Sequence, residues 1–183
     1  MPPRKRADAR RNEETLLTAA AAVFVEAGVE APVRAIAARA GVGVATIYRH
    51  FPTRADLIVA VFRHQVESCA DAAPELLARH ESPYDALVAW IDLFVDFVAT
   101  KHGLAEVLQS DADAFGALHT LFLDRLVPAC VGLLDAARAA GEVRGDVGAE
   151  ALLRSVGNLC AGGASPGYEP RRMVGLLVAG LRA

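Results

Sequence analysis

Apolar positions along this chain recur at three- and four-residue steps almost throughout, and no stretch alternates strictly between apolar and polar, so the pattern predicts helices and no strands. Between Asn12 and Ala27 the residues Leu16, Leu17, Ala20, Phe24 and Ala27 share one helical face, and Gly28 supplies a stop. Pro32 suits the first turn of a second, short helix, where its missing N–H costs nothing, and Ile36, Ala37 and Ala40 carry that helix to Gly41. After Gly41-Val42-Gly43, a break too compact for a long loop, Val44 to Phe51 resumes as another short helix. Pro52 ends it, because the residue before a proline is pushed away from helical dihedrals. Thr53 is then placed to cap a long fourth helix from about Arg54 to Ala78, whose inner stripe is Leu57, Ile58, Val61, Phe62, Val66 and Cys69.

Beyond residue 82 the helices become longer and more apolar. Between Pro83 and Thr100, Leu87, Trp90, Ile91, Phe94, Phe97 and Val98 face one way, and Asp92 and Asp96 mark the wet edge. A short turn is expected around Leu104 to Gln109. A helix from about Asp113 to Ala140 follows, with Pro128 removing one of its backbone bonds. Two last helices, near Val147 to Ala161 and Pro170 to Leu181, flank the loop Gly162-Gly163-Ala164-Ser165-Pro166-Gly167. The expected architecture is all-α with about nine helices: a disordered basic arm over 1–9, a helix-turn-helix domain over 10–55 and a helical domain over 56–183.

Composition adds two facts to that outline. The 183 residues are 54% hydrophobic before glycine is counted, more than one monomer core of this size needs against a norm of about 45 to 50% with glycine included. A membrane span would need about 18 nearly uncharged apolar residues, whereas the uncharged stretch from Ser155 to Tyr168 is broken by glycines, Asn158 and Pro166. The excess is therefore assigned to an oligomer face and an internal cavity, with no membrane partner. The second fact is a charge asymmetry: residues 1–54 hold nine Lys and Arg against five Asp and Glu, while the chain as a whole carries −3. A basic head on an acidic body points to a localised polyanion contact, since phosphate binding depends on where the cations lie. The start Met1-Pro2-Pro3-Arg4-Lys5-Arg6 lacks the apolar run of a secretory signal, so the cytoplasm is the expected compartment. Cys69, Cys130 and Cys160 are too widely spaced for a Cys-x-x-Cys site and are expected to be ordinary buried residues, and no metal or cofactor is expected.

Residues 35–57 carry the functional signal. A recognition helix has to anchor its back on the core while showing small or polar side chains to the major groove, and Ile47 and Phe51, four apart, provide the anchor. Val44, Ala45, Thr46, Arg49 and His50 are left for the DNA side. The hydroxyls of Thr46 and Tyr48 can bond phosphate oxygens, Arg34 and Arg49 can reach phosphates or guanine edges, and Arg54 sits at a helix N-terminus, which itself favours phosphate. The stretch as a whole, with Ile36-Ala37, Gly41-Val42, Ile47-Tyr48, His50-Phe51-Pro52 and Leu57 in register, closely resembles the DNA-binding signature of the tetracycline-repressor (TetR) family. That resemblance implies a dimeric regulator in which Thr46, Tyr48, His50 and Arg54 touch the DNA backbone. Many family members open the second and third helices with a hydroxyl residue, and here those places hold Ala31 and Gly43. Arg4, Lys5, Arg6, Arg10 and Arg11 form an arm expected to follow the duplex or enter a minor groove.

The body is expected to hold a small-molecule effector in a pocket lined by Phe62, Val66, Trp90, Phe94, Phe97, Phe115, His119 and Phe122, with His119 or Gln109 as a polar reader. Plain core packing explains an aromatic stripe at helical spacing equally well. Dimer contacts are expected from Leu152, Val156, Leu159 and Cys160 on the penultimate helix and Leu176, Leu177 and Gly180 on the last, forming a four-helix interface about a two-fold axis. The partners are thus a palindromic double-stranded operator, a second copy and an effector. No His-Glu-x-x-His or phosphate loop is present, which argues against an enzyme. A helical protein-interaction or ligand-binding scaffold without sequence-specific DNA binding is the competing reading, and the intact basic head argues against it.

Overall fold

The computed structural model describes residues 3–101 and 112–183, with the side chains of 3–10, 99–101 and 112–115 outside the description. Among the described residues the chain forms eight helices and no strand: α1 (Pro3–Ala27), α2 (Val33–Ala40), α3 (Val44–His50), α4 (Arg54–Arg79), α5 (Pro83–Lys101), α6 (Ala112–Ala139), α7 (Ala149–Cys160) and α8 (Pro170–Ala179). The turn expected around Leu104 to Gln109 lies outside them. Most boundaries fall within two residues of the expected ones, but α1 starts at Pro3 and takes in most of the stretch read as a disordered arm over 1–9. Proline is tolerated in a first helical turn, and Arg, Lys and Ala are good helix formers, so the basic stretch extends the helix.

Two compact units emerge, Met1–Gln65 with Gly103–Leu118 and Val66–His102 with His119–Ala183. The division falls within α4 and α6, later in the chain than the expected break between 55 and 56. In the first unit α1 packs on α2 and α2 on α3. Leu16, Leu17, Ala20 and Phe24 of α1, Ile36 and Ala37 of α2, Ile47 of α3 and Leu57 and Ile58 of α4 are buried there, together with Phe51. Gly41 closes α2 in the left-handed region (φ 67°), donating to Ala38 O at 3.3 Å while the Val42 N–H reaches Ala37 O at 3.0 Å. This paired closure is the Schellman motif, and a side chain at Gly41 would strain it. The start of α4 is fixed reciprocally: Thr53 Oγ1 accepts from the Asp56 N–H (3.1 Å), and the Asp56 carboxylate accepts from the Thr53 N–H (2.9 Å) and hydroxyl (2.7 Å).

In the second unit α5 packs on α7 and α8, and α7 on α8. Its core joins Leu87, Trp90, Ile91 and Phe94 of α5, Leu126, Leu133 and Leu134 of α6, Leu152, Leu153 and Val156 of α7, and Val174 and Val178 of α8. The Trp90 indole N–H donates to Cys69 O at 2.7 Å, which satisfies the one polar atom of a fully buried ring. Glu142 caps α5 from a distance, its carboxylate accepting from the Ser82 hydroxyl (2.9 Å) and the Tyr84 N–H (2.8 Å). Among the described residues one segment, Gly116–Ala139 with mean hydropathy 1.5, is long and apolar enough to cross a membrane by length and composition alone. Here Leu126, Cys130, Leu133, Leu134 and Ala137 turn its inner face into the core.

Candidate nucleic-acid interface

The candidate recognition helix is only seven residues long, and an isolated helix shorter than about 12 to 15 residues is marginal in water. Tertiary packing has to hold it. Ile47, 1% exposed, is the one buried residue within α3, and Phe51 is buried immediately after it. With that side turned inward, Val44, Ala45, Tyr48 (47% exposed), Arg49 and His50 face solvent, and Thr46 is half-buried. Gly43 is the N-cap at φ −74° and offers no side-chain bond, while α2 is preceded by Pro32 rather than by Ala31 as its cap.

The cations of the head divide into two sets that the sequence does not distinguish. Arg34 and Arg49 are exposed and have no ion-pair partner among the described residues. Arg39 is engaged with Glu26 at 2.5 Å, and this hydrogen bond holds the Glu26 carboxyl below the usual carboxylate range while raising Arg39. Arg54, placed on the DNA side by the sequence, has its guanidinium turned into the first unit. One nitrogen donates to Val29 O and to Ala31 O (2.8 Å to the latter), and Nε lies 4.0 Å from the Glu30 carboxylate. The arm residues Arg4, Lys5, Arg6 and Arg10 have side chains outside the description; Arg11 is exposed on α1.

The residues assigned to a pocket form, for the most part, a stack of rings. Trp90 and Phe94 are parallel (5.9 Å between centroids, 3°), Phe94 meets Phe97 at 5.9 Å and Phe122 at 6.0 Å, and Phe122 stacks on His119 at 6.3 Å. Trp90, Phe94 and Phe97 are buried, Phe122 is half-buried, and His119 is exposed. Val66 is buried in this same unit, whereas Phe62 belongs to the first. The side chain of Phe115 and the whole of Gln109 lie outside the described residues. A groove of about 600 Å³ elsewhere in the second unit is lined by Val127 and Val131 of α6 and by residues 148–151 and Arg154 at the start of α7. Sequence reasoning passed over it.

The residues assigned to a dimer face need correction in part. Leu152, Val156 and Cys160 are buried within the single chain, where they face its own core and are not available to a partner. Leu159 and Leu177 are half-buried, and Leu176 (61% exposed) and Gly180 face solvent. An apolar stripe reads the same whether it meets its own chain or another. The residues α6 leaves outside, Leu123 and Val131, were missed, although they are four-residue neighbours of Val127 on one face. All three cysteines are free and buried, and burial pushes the Cys69 and Cys130 thiols up to about 12.

A short helix, a glycine turn and a second short helix with an outward polar face, set ahead of an all-helical body, define a helix-turn-helix regulator. Residues 16–61 match the family model of bacterial regulatory proteins of the tetR family, and residues 82–183 match that of the C-terminal domain of SbtR-like transcriptional regulators. The chain belongs to the TetR family of transcriptional regulators. A TetR transcriptional regulator from Streptomyces coelicolor is 36% identical over 93% of this chain and 98% of its own, with a TM-score of 0.74. A TetR regulatory protein from Mycobacterium vanbaalenii is 36% identical over 97% of this chain and 99% of its own, with a TM-score of 0.68. An HTH-type transcriptional regulator of Staphylococcus aureus is 24% identical over 122 residues, and the matched part spans 66% of that relative's length.

Proposed function

We propose that the protein works in the cytoplasm as a homodimer that binds a palindromic double-stranded operator through α3 and represses transcription until a small apolar or amphipathic effector releases it. The observation that carries this reading is the polarity of α3. Ile47 and Phe51 seal one side, and Val44, Ala45, Thr46, Tyr48, Arg49 and His50 are left for a groove, with the exposed Arg34 on α2 as a second cation for phosphate. The DNA contacts fall within residues 10–55 and the effector and dimer contacts within residues 56–183. The dimer face draws on the exposed Leu123, Val131 and Leu176 and the half-buried Leu159 and Leu177 of α6, α7 and α8, with Gly180 permitting close approach. The aromatic stack from Trp90 to His119 is the candidate effector site, since it sets one polar group, His119, at the edge of an apolar wall. An effector acts only by binding one spacing of the two heads more tightly than another.

Selection of bound sequences from a random DNA pool tests the core of this proposal. The expected product is a palindrome whose half-sites are centred about 34 to 36 Å apart, one turn of B-DNA. Affinity for the selected duplex should fall linearly on a log–log plot against salt, by about 0.9 per phosphate neutralised. An unenriched pool together with a flat salt series would reject the proposal.

A further inference from the structure

Arg54 is the first residue of α4 and follows the short link that leaves the recognition helix. Val29 and Ala31, whose carbonyls receive its guanidinium, lie in the turn that launches α2. Both residues are buried, 7% and 3% exposed, and their carbonyls stand outside any helix, where the guanidinium supplies a donor to each. Glu30, between them in sequence, sets a carboxylate 4.0 Å from Nε and keeps the charge on this side. The side chain therefore links the beginning of α2 to the exit from α3, and the two helices of the motif lie in the chain between the linked points. We propose that Arg54 is a positioning residue for operator recognition and not a phosphate contact: it braces the α2–α3 pair so that the face of α3 meets the groove at a fixed angle.

This inference rests on the DNA-binding reading above, and the two fail differently. A phosphate contact is indifferent to sequence, so its loss weakens operator and random DNA alike and makes the salt slope shallower by about 0.9. A brace matters only where base edges must be met in register. With the full-length protein, anisotropy titrations of the selected operator and of a random duplex across a salt series separate the cases, at a temperature where circular dichroism shows each variant folded. Arg54→Met is expected to lose at least tenfold on the operator, keep its affinity for random DNA and run parallel to the wild type in salt, with Arg54→Lys recovering most of the loss. Arg49→Ala, as the reference for a direct contact, should flatten the slope. The wild type provides a second readout that does not depend on a variant folding: the Arg54 guanidinium resonances should already be slowed in exchange in the free protein and shift little when operator is added. Parallel losses on both duplexes with a shallower slope, or Arg54 resonances that become protected only with DNA, overturn the proposal while leaving DNA binding intact. A wild type that binds no duplex overturns the DNA-binding reading itself.

Discussion

Replacing Ile47 by alanine isolates what holds the recognition helix in place. The helix has seven residues, far short of what survives alone, and Ile47 is its one buried member. Truncating a fully buried isoleucine to alanine costs about 2 to 5 kcal/mol, the upper end applying where the surroundings cannot collapse into the space. Ile36 and Leu57, both 1% exposed or less, are buried in the same unit on elements anchored elsewhere, so little relaxation is expected and the cost should sit in the upper half of that range. Against a total stability of about 5 to 15 kcal/mol this is a large share. For a chain of 183 residues, at about 2 to 4 °C per kcal/mol, the melting temperature should fall by about 7 to 20 °C. Ile47→Val, which removes a single methyl group, should cost about 0.5 to 1.5 kcal/mol and serves as the graded control. Thermal unfolding followed by circular dichroism measures both. If Ile47→Ala melts within about 2 °C of the wild type, α3 is held by something other than this contact.

Other consequences can be measured independently. Trp90 is the only tryptophan; its emission should be blue-shifted, and Trp90→Phe, which removes the donor to Cys69 O, should cost about 1 to 3 kcal/mol in chemical denaturation. An effector seated on the aromatic stack should change that emission, and an unchanged spectrum at saturation would place it elsewhere. Glu26 has its carboxyl lowered in the folded state, so the stabilisation from its pair with Arg39 is complete above the ordinary glutamate range and is lost as pH falls through the lowered value. Carbon-detected NMR titration should show Glu26 returning to the ordinary range in Arg39→Ala. A β-carbon at Gly43 would meet only Thr46 Oγ1, at 3.9 Å, and its φ suits any residue, so Gly43→Ser should add a few tenths of a kcal/mol by supplying a helix cap. A lower melting temperature would contradict that account.

The order of the helices and the helix-turn-helix could be read from the sequence because each signal there is local. Gly41 stops α2, Pro52 ends α3, and Thr53 caps the start of α4. What escaped was decided by contacts distant in the chain. The destination of Arg54 depends on carbonyls 23 and 25 residues away, and a guanidinium at a helix N-terminus gives no local sign that it will turn inward. Leu152 and Leu176 belong to similar apolar stripes, yet one faces its own core and the other faces water. Helical period fixes which residues share a side but not what that side meets. Likewise the ring spacing of α5 was legible, whereas the groove beside Val127 and Val131 arises from the way a loop enters α7.

The burial of Cys69, Cys130 and Cys160 gives the molecule a chemically quiet surface. Thiol conjugation proceeds through the thiolate, and groups held this far toward the protonated form and out of water react slowly under native conditions. A single cysteine introduced at an exposed position of α4, such as Glu67→Cys, would then be the one site a maleimide spin label finds quickly. Pulsed electron resonance on such labels would test the proposed pairing directly, since a defined distance between two labels arises only if two copies associate, with no need to strip the native cysteines first.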